Sequence, residues 1–109
     1  MPTISIRKTY LTFLEAFGSP STLVEDAVRK YVIDKTVERI ERSREAIEEF
    51  ERNYKCDYAH FIGKLSTEEG LKELEALKPT WEADQLEWEY WIKELEEWKL
   101  RLEAILMTS

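Results

Sequence analysis

His60 is the sole histidine and Cys56 the sole cysteine, and they stand one helical turn apart, a spacing at which imidazole and thiolate can meet one metal ion. Two ligands fall short of a structural zinc site, which needs four. Neither Cys56 nor any serine has a base and an orienting acid near it in sequence, the arrangement nucleophilic catalysis requires. The adjacent acids Glu68/Glu69 and Glu96/Glu97 fit solvated helix faces as simply as they fit acid/base pairs. The chain therefore reads as a protein without catalytic residues, metal ligands or cofactor, and its chemistry as recognition.

Two groups of residues carry that recognition. The first is Thr3-Ile4-Ser5-Ile6-Arg7-Lys8, where β-branched apolar residues alternate with polar ones. This predicts a short strand with Ile4 and Ile6 on one face and Thr3, Ser5 and Arg7 on the other. A lone strand needs a ladder partner, and no second strand pattern follows, so the partner is expected from a second copy. A two-stranded ribbon fits the DNA major groove, where Arg reads guanine bidentately and Ser or Thr donates or accepts. The same ribbon equally serves as a device that only joins subunits.

The second group is Trp81, Trp88, Trp91 and Trp98, which with Asp84, Leu95, Leu102 and Ile105 alternate three and four residues apart. That is a helix-packing seam, and tryptophan there buries a large area at little rotamer cost. Leu86, Tyr90, Ile92, Leu100 and Leu106 widen the apolar surface enough for two neighbours. The seam is expected to close a hairpin in part and to meet another subunit or partner in part.

The elements that position these groups are helical. Charged residues make up 36% of the chain, with only three Gly and three Pro, the profile of long helices. The mixed spacing of Leu11, Phe13, Leu14 and Phe17 favours a short helix over 9–17 that stops at Gly18, with extended chain as the other reading. Ser19 or Ser21 caps the next helix near Pro20, where free backbone N–H groups can hold a DNA phosphate. No Gly or Pro occurs between Ser21 and Ile62, which predicts a helix of roughly thirty residues, about 45 Å. Its seam reads Ile33, Val37, Ile40, Ile47 and Tyr54, with Arg44 in the Val37 phase, either fixing register or turned to solvent. Residues 56–63 reverse the chain. Ser66 and Glu69 form a capping box for a short helix carrying Leu71, Leu74 and Leu77. Lys78-Pro79 ends it, and Thr80 caps a final helix over 81–107.

Of the formal charge of −7, the whole excess lies in residues 56–109, which hold thirteen Asp/Glu against six Lys/Arg. Nucleic acid is thereby assigned to the first half and a basic protein to the second. With one cysteine, no apolar run of about 18 residues and no signal-peptide pattern at the start, a cytoplasmic protein that avoids membranes is expected.

Taken together, Ile4-Ser5-Ile6-Arg7, the helix to Phe17, Gly18-Ser19-Pro20-Ser21 and the run from Leu23 through Ala27 to Tyr31 resemble the ribbon-helix-helix domain of bacterial and archaeal antitoxins. The resemblance implies a mostly α fold with an N-terminal strand paired across a homodimer or tetramer. It also implies operator DNA contacted by Thr3, Ser5 and Arg7, and a C-terminal segment that blocks a toxin, here a basic one. Three regions follow: a DNA-binding and dimerising domain over 1–31, the rest of the long helix over 32–55, and an acidic, Trp-rich partner region over 56–109. The other reading is a helical scaffold that binds no DNA.

Overall fold

The computed structural model describes residues 5–108. It contains five helices: α1 Lys8–Glu15, α2 Pro20–Tyr54, α3 Tyr58–Lys64, α4 Glu68–Leu77 and α5 Trp81–Leu106. The chain divides into two compact units, Met1–Lys35 and Thr36–Ser109.

In the first unit the expected strand is not found among the described residues. Among the described residues no strand forms, so the fold is α-helical, with no paired ribbon as its N-terminal element. Ser5, Ile6 and Arg7 have no regular structure and Lys8 already belongs to α1; Thr3 and Ile4 lie outside the described residues. The cause is local. The Arg7 carbonyl accepts the amides of Tyr10 and Leu11 at 2.9 and 3.2 Å. The Thr12 hydroxyl donates to the Lys8 carbonyl at 3.0 Å. These bonds satisfy backbone groups that a strand without a ladder partner within the chain would leave open. Phe17 closes α1 by donating to the Leu14 carbonyl at 2.9 Å, and Gly18 then takes φ +148°, a conformation that strains any L side chain. Pro20 opens α2, where its missing N–H costs nothing, and the Ser19 carbonyl accepts the Leu23 amide at 3.0 Å.

In the second unit, α2 from residue 36 onward pairs with α5. Tyr54 bonds to Asp84 and touches Trp88, Phe50 stacks on Trp88, Arg42 faces Trp91 and Arg39 faces Trp98. One helix ascends as the other descends, which defines an antiparallel hairpin. The α2 seam is Thr36, Ile40, Ser43, Ile47, Phe50 and Tyr54, with Thr36, Ile40, Ser43 and Tyr54 buried. Arg44 is exposed. Ile40, Ile47 and Tyr54 stand in the seam as their spacing predicts, while Thr36 and Ser43 take the places between them where the apolar spacing pointed to Val37 and left Arg44 either in the seam or turned to solvent. Ser43 is tolerated there because its hydroxyl donates to the Arg39 carbonyl at 2.9 Å.

After Tyr54, Lys55 adopts φ +56° and turns the chain. Asp57 caps α3 by accepting the His60 amide at 2.8 Å. The cap of α4 is Thr67, not Ser66: its hydroxyl accepts the Gly70 amide at 3.0 Å, which places Glu68 and Glu69 in the first turn, where the helix dipole favours acids. Gly70 is required by proximity, because a Cβ there would meet the Lys64 carbonyl oxygen at 2.2 Å. Lys78 ends α4 with extended backbone ahead of Pro79.

Tyr54, Phe61, Leu74 and Trp88 form the core of this unit, with Phe50, Tyr58, Ile62 and Ile92 packed around them. Trp88 is fully buried, with the rings of Phe61, Tyr58, Phe50 and Tyr54 centred 5.1, 5.3, 5.5 and 5.8 Å away. Its indole N–H has no acceptor, which costs ~1–3 kcal/mol. Burial of an aromatic of about 200 Å² offsets that with roughly 5 kcal/mol.

Candidate association surfaces

The seam of α5 divides its tryptophans by role. Trp88 is consumed by the intramolecular core, while Trp81, Trp91 and Trp98 are half-buried, as are Leu95 and Leu102. The Arg42 guanidinium lies 5.5 Å from the Trp91 ring centre. Trp98 takes Arg39 at 5.8 Å and Arg101 at 4.4 Å, and its Nε1 donates to Glu94 at 2.8 Å. Partly exposed cation–π pairs of this kind contribute about 0.5–1 kcal/mol each. Much of the Trp stripe therefore closes on residues 36–54 of its own chain.

Asp84 sits in that seam for a definite reason. The Tyr54 hydroxyl, on a residue 1% exposed, donates to its Oδ2 at 2.5 Å, and Thr80 donates to the same oxygen at 3.4 Å. Burial, reinforced by the bond to Asp84 and by its charge, pushes the Tyr54 phenol far above the ordinary tyrosine range.

Around α3 the histidine and cysteine serve the local fold. His60 Nδ1 lies 2.6 Å from Asp57 Oδ1. The His60 amide, and then its ring, hold the Asp57 carboxyl below the usual carboxylate range. Burial pushes the Cys56 thiol up, partly countered by Lys64; this is the opposite of what a nucleophilic thiolate needs. No group of three His, Cys, Asp or Glu side chains placed to hold a metal occurs among the described residues. A hollow of about 560 Å³ is an open groove along α3 and α4, in which Lys64 pairs with Glu73 at 3.1 Å.

The first unit is built differently, for no residue from 5 to 35 is buried. Leu11, Leu14, Leu23 and Val24 are half-buried, whereas Tyr10, Phe13, Phe17, Val28, Tyr31 and Val32 are exposed, Phe13 by 68% and Phe17 by 80%. Ser5 and Arg7 are exposed ahead of α1, and Ile6 is half-buried beside Pro20 and Ser21 in an open cleft of about 440 Å³. Ser19 and Ser21 are exposed at the start of α2, their hydroxyls 3.3 Å apart. Thr3 and Ile4 fall outside the described residues.

Three features escaped the sequence reading. Thr36 and Ser43 were passed over as polar, although their spacing to Ile40 and Ile47 is that of the seam. Phe50, stacked on Trp88, completes the same series. The exposed aromatic surface of the first unit was not singled out by helical spacing alone.

No family model matches this sequence, and neither the curated proteins nor the solved structures contain a match. No helix among the described residues is long and apolar enough to cross a membrane.

Proposed function

We propose that the protein is an antitoxin-like transcriptional regulator: the first unit forms a dimer on operator DNA, and the second unit engages a protein partner. The observation that carries the reading is the absence of any buried residue from 5 to 35 beside six exposed large apolar side chains. Segments under about 40 residues seldom hold a core alone, and a second copy offers the same apolar surface in return. Arg7, Lys8, Arg29, Lys30 and Lys35 outnumber the four acids of this unit, whereas the second unit holds nineteen acids against eleven bases. This distribution supports phosphate contact by the first unit only. Arg7 and Ser5, exposed in the segment leading into α1, are the base-reading residues in this account, and Ser19 and Ser21 the phosphate contacts.

The test is a gel shift with the DNA immediately upstream of the gene at about 50 and 200 mM salt, where a protein making several phosphate contacts loses affinity steeply. Arg7→Ala is expected to weaken specific binding by ~1–3 kcal/mol. A shift indifferent to Arg7→Ala sinks the assignment of that residue. No shift at the lower salt rejects the regulator in favour of a helical scaffold, the reading that the same apolar surface supports without DNA.

A further inference from the structure

The helix α1 has little that holds it together from within its own chain. It has eight residues, no side-chain bond at its Arg7 cap, no acid in its first turn, no base in its last and no buried residue. Helices shorter than about 12–15 residues are marginal in water and take their stability from packing. The packing available inside the unit is slight: Leu11 and Leu14 are half-buried, as are Leu23 and Val24 of α2.

The uncovered face of α1 is unbroken by charge. At 100° per residue, Leu11, Leu14, Tyr10 and Phe13 fall within an arc of about 160°, and Lys8 and Glu15, the charged residues of α1, fall outside it. Phe17 continues the face in the turn that closes the helix. Tyr10 is 58% exposed, Phe13 68% and Phe17 80%. At about 200 Å² per ring, roughly 400 Å² of aromatic surface stands open here, as much as the largest apolar patch of a typical whole monomer. With no charge in the arc, a second copy meets it without opposing like charges. Two such faces supply roughly 800 Å², about half of what a standard interface buries.

We infer that α1 becomes helical only as two copies join, so that its ordering and the dimerisation of the chain are one equilibrium. This rests on the reading of the first unit as a dimerising unit and supplies that unit's control. Arg7 caps α1, and its carbonyl accepts the Tyr10 and Leu11 amides, so it takes its place with the helix. In the proposed regulator the base-reading residue is therefore set in the pair and not in the single chain, and recognition switches on over the concentration range of assembly.

The experiment is hydrogen exchange of the full chain, read by mass spectrometry at concentrations above and below the dissociation point that sedimentation gives. Peptides covering residues 8–15 are expected to exchange at least tenfold faster below that point, while residues 36–54 keep their protection. Thr9→Ala/Thr12→Ala places two stronger helix formers outside the aromatic arc. It is expected to tighten assembly at least threefold, because a helix already part-formed leaves less to order. Phe13→Glu/Phe17→Glu, which does not lower helix propensity, is expected to leave residues 8–15 unprotected at every concentration. Protection of residues 8–15 that survives dissociation, or an assembly constant indifferent to the Thr9/Thr12 variant, overturns the inference and leaves the dimer standing. A single-chain mass at every concentration removes the dimer itself, and the inference with it.

Discussion

The bond between Tyr54 and Asp84 joins two helices across thirty residues of sequence, and its removal has a calculable cost. Asp84→Ala leaves the Tyr54 hydroxyl, on a residue 1% exposed, without its acceptor at 2.5 Å. A buried donor left unpaired costs ~1–3 kcal/mol. Tyr54→Phe removes the donor but keeps the ring between Phe61 and Trp88, and half-buried Asp84 can then turn to water; about 1–1.5 kcal/mol is expected. The double variant should cost less than the sum, with a coupling of roughly 1.5 kcal/mol, the range of a hydrogen bond to a charged acceptor. Urea denaturation followed by tryptophan fluorescence measures all four corners of the cycle. A coupling under ~0.5 kcal/mol, the usual deviation of independent sites, would refute the account of why a carboxylate occupies the seam.

Three further outcomes follow from the same core. Trp88→Ala removes a fully buried ring with four aromatic neighbours and should cost about 3–5 kcal/mol; half-buried Trp98→Ala should cost clearly less, and equal losses in chemical denaturation would contradict the division of roles along α5. Gly70→Ala, which forces a Cβ against the Lys64 carbonyl, should destabilise by roughly 1–3 kcal/mol, read as a lowered melting temperature. Because the Tyr54 phenol is raised when folded, its contribution is complete below the unfolded tyrosine value of about 10 and is lost as pH rises beyond it. Absorbance at the phenolate band should therefore show Tyr54 ionising only together with unfolding, a coupling that Tyr54→Phe abolishes.

The long helices were legible because their signals are local and redundant. An uninterrupted run from Ser21 to Tyr54, the stop at Lys78-Pro79 and the three-four rhythm of the tryptophans all act within a turn or two of chain. The strand was misread because alternation over Thr3 to Lys8 reports only which side chains share a face. Whether that face finds a ladder partner is a non-local fact, and the amides of Tyr10 and Leu11 found the Arg7 carbonyl instead. Ile40, Ile47 and Tyr54 of the α2 seam were legible, but Thr36 and Ser43 were missed for a related reason. Hydropathy counts Thr36 and Ser43 as polar, whereas Ser43 hides its hydroxyl against its own helix. At α4, Ser66 and Thr67 are equivalent by type, and Gly70, tight against Lys64, gives Thr67 the amide it caps.

The Trp stripe was expected to close a hairpin in part and to meet a partner in part; Trp88 fills the core of its own chain, and apolar surface still seeking cover sits elsewhere. It lies on α1 and the start of α2, and the proposed regulator uses it for a second copy.

The central claim is that the first unit is completed by a second copy of itself, and sedimentation equilibrium of the full chain tests it most directly. The account predicts the mass of at least two chains at micromolar concentration, falling on Phe13→Glu/Phe17→Glu substitution while the helical signal and melting of the second unit persist. A single-chain mass for the unaltered protein, or an assembly indifferent to those two substitutions, would contradict it.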